Sequence, residues 1–210
     1  MKKTYTASTN KVDMAARYAK HLSVHKEPHL AVGWGSRESQ KTRFRLLKEV
    51  GIQSTHTVLD VGSGLGDFFG YLKLEKFTGH YVGIDAIDQM VEKASLRFPN
   101  ANFLCHDAID LSNLFEENAF DFVVASGIFA YCVDEQYEYL RSIAKSMLYV
   151  SKVAVALNCL STFGSHPVPS ESQFDPAQTF NILHALTPWV NLRHEYLSHD
   201  FTVYLYKSQK

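Results

Sequence analysis

Cysteine, proline and tryptophan are all scarce in this chain. Its 210 residues include three cysteines, six prolines and two tryptophans. Cys105, Cys132 and Cys159 are odd in number, lie far apart and form no Cys-x-x-Cys pair. A disulfide framework and a zinc knuckle are therefore excluded, and a reduced, cytoplasmic setting is implied. Long apolar runs are absent: none approaches the roughly 18 residues of a membrane span. Met1 to Thr6 lacks the apolar core of a signal peptide. No membrane association is expected. Metal-binding clusters are also lacking. His21, His25 and His29 are four apart, but Pro28 interrupts any helix carrying them and no acid completes the set, so no metal is expected.

An excess of one charge is missing too, since 21 Lys and Arg stand against 22 Asp and Glu, a net charge of −1. The distribution is uneven, however. Residues 1–50 hold 11 basic against four acidic side chains, and the remainder holds 10 against 18. The basic segment reads as a solvated helix pair or as an anion-facing cap, for a charged substrate or for RNA. Hydrophobic residues make up 46%. That and the length suit one α/β domain with a sizeable core, and no repeat or low-complexity tract interrupts it.

The rest of the chain is organised around residues 57–69, Thr-Val-Leu-Asp-Val-Gly-Ser-Gly-Leu-Gly-Asp-Phe-Phe. Thr57 to Asp60 reads as a buried strand. Gly62, Gly64 and Gly66 alternate after it, and Phe68, Phe69 and Leu72 have helical spacing. Strand, glycine turn and helix in this order let a ligand lie against bare main chain at a helix N-terminus. Dinucleotide sites use G-x-G-x-x-G. The spacing here is G-x-G-x-G, with Asp60 two residues before the first glycine.

Before this stretch, Asp13 to His25 has helical spacing through Met14, Tyr18 and Leu22, and Pro28 is expected to end that helix. Ala31 to Gly35 reads as a loop. Ser36 is a plausible N-cap of a helix through Arg43, Phe44 and Leu47 that Gly51 stops. After the turn, His80 to Asp85 reads as a second strand ending in an acid, 19 residues past Gly66. An acid there can accept hydrogen bonds from ribose hydroxyls. A helix to about Arg97 follows. Asn102 to Cys105 is a third strand, leading to His106, Asp107 and Ala108. Phe120 to Gly127 is a fourth, breaking into Ile128-Phe129-Ala130-Tyr131. Asp134 is the expected cap of a helix through Met147, and Lys152 to Asn158 is a fifth strand. Residues 161–176 form a Ser/Pro-rich loop, expected over a pocket mouth. Residues 177–186 look helical, and 191–196 and 201–206 read as a closing antiparallel pair.

The acid-x-G-x-G-x-G pattern at Asp60, Gly62, Gly64 and Gly66, with acids after the second and third strands, resembles the class I S-adenosylmethionine-dependent methyltransferases. The resemblance spans about residues 51–210, and residues 1–50 are similar to the helical caps that many members carry. It implies an α/β, Rossmann-like, doubly wound sheet of seven mostly parallel strands with an antiparallel final strand. It divides the chain into an N-terminal helical cap at 1–50 and a cofactor-binding core at 51–210 of the same domain. The implied cofactor is S-adenosylmethionine. The residues expected to hold it are Asp60, Gly62, Ser63, Gly64, Gly66, Asp85, Ala86, Met90, His106, Asp107, Ala108, Ser126, Trp34 and Arg43, with Ser36, Arg37, Ser39 and Gln40 as further candidates for its amino-acid end. Asp107 corresponds to the family acid that contacts the adenine amino group.

Strand four ends in Ser126-Gly127-Ile128-Phe129, so the Asn/Asp-Pro-Pro-Tyr/Phe sequence of enzymes methylating planar base or amide nitrogens is absent. The expected acceptor is a small molecule, with RNA (tRNA or rRNA) as the alternative. A nicotinamide oxidoreductase is disfavoured by the glycine spacing, and a non-catalytic cofactor-binding protein is a further alternative. No catalytic residue is assigned, because an activated donor needs a general base only when the acceptor is protonated. Tyr131 and His166 are loop candidates, and Trp34 and Phe129 are aromatics expected to face the sulfur or the acceptor. A monomer or homodimer is expected.

Overall fold

The structure is a computed structural model and describes residues 16, 18–24, 27–131, 135–164 and 171–209. Seven strands are present among them: β1 (Val58–Val61), β2 (Tyr81–Asp85), β3 (Asn102–Cys105), β4 (Phe120–Ala125), β5 (Ser151–Leu160), β6 (Val190–Leu197) and β7 (Asp200–Tyr206). They form one sheet in the order β3-β2-β1-β4-β5-β7-β6. β1 to β5 pair in parallel, and β7 runs antiparallel between β5 and β6. This is the doubly wound, Rossmann-like arrangement with a reversed final strand. Strand order turns back between β1 and β4, and such a switch point opens a crevice at the carboxyl ends of the strands.

The central strands are nearly continuous apolar runs because helices cover both faces. On one face α1 (Arg37–Lys48) and α2 (Asp67–Leu74) place Phe44, Leu47, Phe68 and Leu72 against Val58, Val124 and Tyr204. The other face carries α4 (Gln136–Val150) and α5 (Pro176–His184), with α3 (Asp88–Arg97) flanking β2 and β3. There Leu140, Ile143, Met147 and Leu183 pack on Leu59, Val61, Val123 and Val203. A third, smaller cluster joins Ala31 to Leu65, Ile87 and Met90, with Tyr18, Leu22 and Val32 beside it.

Local chemistry accounts for the helix starts. Ser36 caps α1, its hydroxyl accepting from Ser39 N at 3.1 Å. Asp175 caps α5 in the same way through Gln178 N, with Pro176 at the first helical position. Pro28 lies beyond the helical residues 18–24, in keeping with its expected role as their stop. It begins a single helical turn, Pro28–Ala31, where the fixed proline φ is already helical and the missing N–H is not needed. Residues 108–113 form a 3-10 helix, started by Asp107, whose carboxylate accepts from Ile109 N. Asp134, His25, His166, Cys132 and residues 1–15 lie outside the described residues. No helix among the described residues is long and apolar enough to cross a membrane, and no group of three His, Cys, Asp or Glu is placed to hold a metal.

Candidate functional site

β1 delivers Asp60 to the switch point, and the chain then turns through Gly62 and Gly64, both at positive φ. Gly62 N and Ser63 N donate to the Ile84 carbonyl, which ties the turn to β2. The pocket above this turn is lined by Asp60, Gly62, Ser63, Gly64, Asp85, Ala86, Met90, His106, Asp107, Ala108, Ser126 and Trp34. Twelve of the fourteen expected residues are thus brought to one cavity. The ends of four neighbouring strands meet there, as the topology requires.

Asp85 splits its two oxygens between main-chain donors. Oδ2 accepts from Gly64 N at 2.9 Å and Oδ1 from Ile87 N at 3.0 Å. It fixes the glycine turn and the start of α3 while lining the pocket. Asp107 also lines the pocket, and its Oδ1 accepts from Ile109 N at 3.0 Å. Gln40, reached from α1, donates to Asp67 Oδ2 at 3.2 Å, and both line the cavity. Arg97 clamps the other side of the turn, bonded to Asp67 and to the Leu65 carbonyl.

Asp60 is the least solvated acid on the wall. It is 3% exposed, and the Tyr81 hydroxyl donates to its Oδ2 at 2.5 Å. Burial raises its pKa from 3.8 to about 7, the Asp85 and Asp67 charges add to the rise, and the Tyr81 hydrogen bond opposes it. The sign of the linkage follows. The folded state binds this proton more tightly than the unfolded chain does. Its stabilising contribution is complete below about pH 4 and is lost as pH rises through about 7. Unfolding of the ligand-free protein between pH 4 and 7 should show this loss, and Asp60→Asn should flatten that part of the profile. An unaltered profile in Asp60→Asn would remove Asp60 as its source.

Two expected residues do not line the pocket. Gly66 is the N-cap of α2 at φ 74°, and a Cβ there would lie 2.9 Å from both Phe98 and Phe103. It permits close packing of helix on strand. Arg43 is drawn away by charge: its Nε donates to Asp200 Oδ2 at 2.7 Å, and both side chains are buried. Phe129 is also corrected. It is 2% exposed and packs edge-on against Tyr139 and Phe174 in the core. Gly127, at φ 82°, turns the chain two residues before it. Ser36, Arg37 and Ser39 are likewise not pocket residues, whereas Tyr131 sits edge-on to Tyr18, a pocket residue, at 5.7 Å. Lining residues that the sequence left unmarked include Val32, Ile87, Ile109, Ile128 and Tyr139. Their apolar spacing is that of ordinary core, so no local signal separates them.

A family model described as a methyltransferase domain matches residues 58–148. A Mycobacterium tuberculosis protein named as a methyltransferase is 28% identical over 162 residues, covering 72% of this chain and 93% of that one. Residues 58–148 thus form a methyltransferase domain, and the chain is similar to the class I S-adenosylmethionine-dependent methyltransferases. Phosphoethanolamine N-methyltransferase 1 of wheat is 33% identical over 88 residues, which is 40% of this chain but only 17% of the wheat enzyme. Among solved structures, magnesium protoporphyrin IX methyltransferase from Synechocystis with bound S-adenosylmethionine superposes with a TM-score of 0.67 at 13% identity, over 98% and 100% of the two chains. A S-adenosylmethionine-dependent methyltransferase from Archaeoglobus fulgidus gives 0.66 at 17% identity, over 82% and 95%. The chain thus shares its fold with enzymes far from it in sequence.

Proposed function

We propose that this pocket holds S-adenosylmethionine and that the methyl group passes to a small-molecule acceptor. The observation that supports this most is the chemistry of the wall. Asp60, Asp67, Asp85 and Asp107 line a cavity that no lysine or arginine lines among the described residues. Such a wall attracts an ammonium and a sulfonium and repels a pyrophosphate. It therefore favours this cofactor over a dinucleotide, for which the glycine spacing is also wrong.

The bound cofactor supplies a methyl group on a cationic sulfur, open to in-line attack by an acceptor lone pair. The chain's part is to bind, align and exclude water. In this reading Asp85 receives the ribose hydroxyls, Asp107 and Met90 the adenine, and Asp60 and Gln40 the ammonium; all five line the pocket. Tyr18, Val32 and Trp34 line the pocket from the segment before the core. The lack of a lining Lys or Arg gives a phosphate backbone no purchase there, which favours a small acceptor over RNA. The wheat and Synechocystis proteins are named for small molecules, phosphoethanolamine and magnesium protoporphyrin IX. Cys159 is a buried free thiol, as suits action in the cytoplasm.

Calorimetric titration tests the reading. S-adenosylhomocysteine should bind, NAD should not, and total RNA should show no salt-sensitive binding. Asp85→Ala should weaken S-adenosylhomocysteine by at least about tenfold, roughly 1.4 kcal/mol. Tight NAD binding without any response to S-adenosylhomocysteine would end the proposal. An ammonium beside Asp60 favours its ionised form, so binding below pH 7 should release a proton. Heats measured in two buffers of different ionisation enthalpy read that release.

A further inference from the structure

Arg43 is buried, charged and close to the pocket without reaching it. Its guanidinium carbon lies 4.7 Å from the centroid of the Trp34 ring. Trp34 is on the wall. The far edge of the indole, Cζ2 and Cη2, rests 3.3 to 3.4 Å from where a Cβ on Gly127 would stand. The indole is therefore held between a cation and a bare stretch of main chain. The cation is itself held on two sides. Asp200 at the start of β7 accepts from Nε, and Nη1 donates to the Ser39 carbonyl at 3.3 Å and to the Ser39 hydroxyl. Asp200 in turn accepts from the Tyr196 hydroxyl. Gly127 N donates to Asn158 Oδ1 at 3.3 Å, which fixes the other side of the clamp to β5.

We infer that Arg43 and Asp200 are a positioning pair that sets the Trp34 ring as the wall of the cofactor pocket. A guanidinium stacks flat on an aromatic face, and its planar fork keeps Nε and Nη1 pointed at fixed acceptors while it does so. An ammonium does neither. Trp34 sits between Gly33 and Gly35, and its main-chain N–H donates to the His29 carbonyl at 2.8 Å, which leaves the direction of the ring to its side-chain contacts. The salt bridge, 157 residues apart in sequence, supplies that orientation. The pair acts on the ligand only through the indole. This inference rests on the reading of the pocket as the S-adenosylmethionine site.

The test is a double-mutant cycle read with S-adenosylhomocysteine as the probe. Arg43→Lys keeps a cation facing Asp200 and removes the guanidinium from the indole. It should weaken binding by about tenfold. In a Trp34→Ala background the same change should have no further effect, because the indole it positions is gone. The second readout needs no ligand. With Trp189→Phe, Trp34 is the sole tryptophan, and Arg43→Lys should shift its emission to the red as the ring loosens. A loss of affinity that persists undiminished in Trp34→Ala would overturn the inference, since Arg43 would then act by another route. Unchanged affinity and emission in Arg43→Lys would overturn it as well. If the unaltered protein does not bind S-adenosylhomocysteine, the pocket reading itself fails and the inference falls with it. Failure confined to the cycle or the emission leaves the pocket reading standing.

Discussion

Gly62→Ala should abolish measurable S-adenosylhomocysteine binding and lower the melting temperature by roughly 10 °C. Two effects add. The residue sits at φ 73°, where a side chain costs about 1–2 kcal/mol. A Cβ there would also lie 2.0 Å from Cγ2 of Ile128. That methyl is on a β-branched side chain with a stiff χ1, so it cannot simply swing aside. Overpacking of this kind adds about 1–3 kcal/mol. Relief would come by shifting the turn or the loop after β4, and both line the pocket. Gly64→Ala provides the contrast. Its Cβ would meet only Val32, at an ordinary 3.4 Å, although its φ of 53° is also positive. It should unfold at a temperature much closer to that of the unaltered protein. The decisive variant is Gly62→Ala with Ile128→Ala, which removes the clash and keeps the backbone strain. Thermal unfolding should recover by about half. No recovery would mean that the Ile128 contact is not what excludes a side chain at residue 62.

The elements that the sequence exposes are those whose causes are local. β1, β2 and β3 are short apolar runs cut off by an acid or a glycine, and β3 occupies the residues expected of it, Asn102–Cys105. The glycine turn is legible because only glycine accepts its backbone angles, and the acids after β2 and β3 are legible by their distance from it. What stays hidden is decided by contacts across the chain. Tyr81 stands 21 residues from Asp60, and only the parallel pairing of β1 with β2 brings its hydroxyl to that carboxylate. Arg43 reads naturally as a ligand-facing cation, because its salt-bridge partner is on a strand at the other end of the chain. Phe129 reads as a loop aromatic, because nothing in Ser126 to Tyr131 announces that Gly127 turns it into the core. The 3-10 helix after β3 is equally quiet: Asp107 doubles as its cap, and one residue serving two purposes shows only one of them in sequence.

Asp200→Ala should be among the most destabilising single changes in this protein, by about 3–5 kcal/mol. The reason is the partner it leaves behind. Arg43 is 3% exposed and cannot give up its proton, so its charge would remain buried without a counter-charge. The Tyr196 hydroxyl would lose an acceptor as well, although Thr202 Oγ1 remains 2.8 Å from it. In a domain of this size that loss corresponds to a fall of roughly 10 °C in melting temperature. The pair as a whole contributes far less than the damage done by breaking it. Two charges taken out of water cost about as much as their attraction returns, so apolar residues of similar volume are often neutral or better. Arg43→Met combined with Asp200→Leu should therefore regain most of the lost stability. Affinity for S-adenosylhomocysteine should not return with it, because a thioether neither stacks as a guanidinium does nor fixes the indole from behind. Thermal melts and titrations of the two variants separate these effects. A double variant as unstable as Asp200→Ala would show that the stranded charge is not the cause. A double variant that also binds S-adenosylhomocysteine at full strength would leave the salt bridge without a role in shaping the pocket.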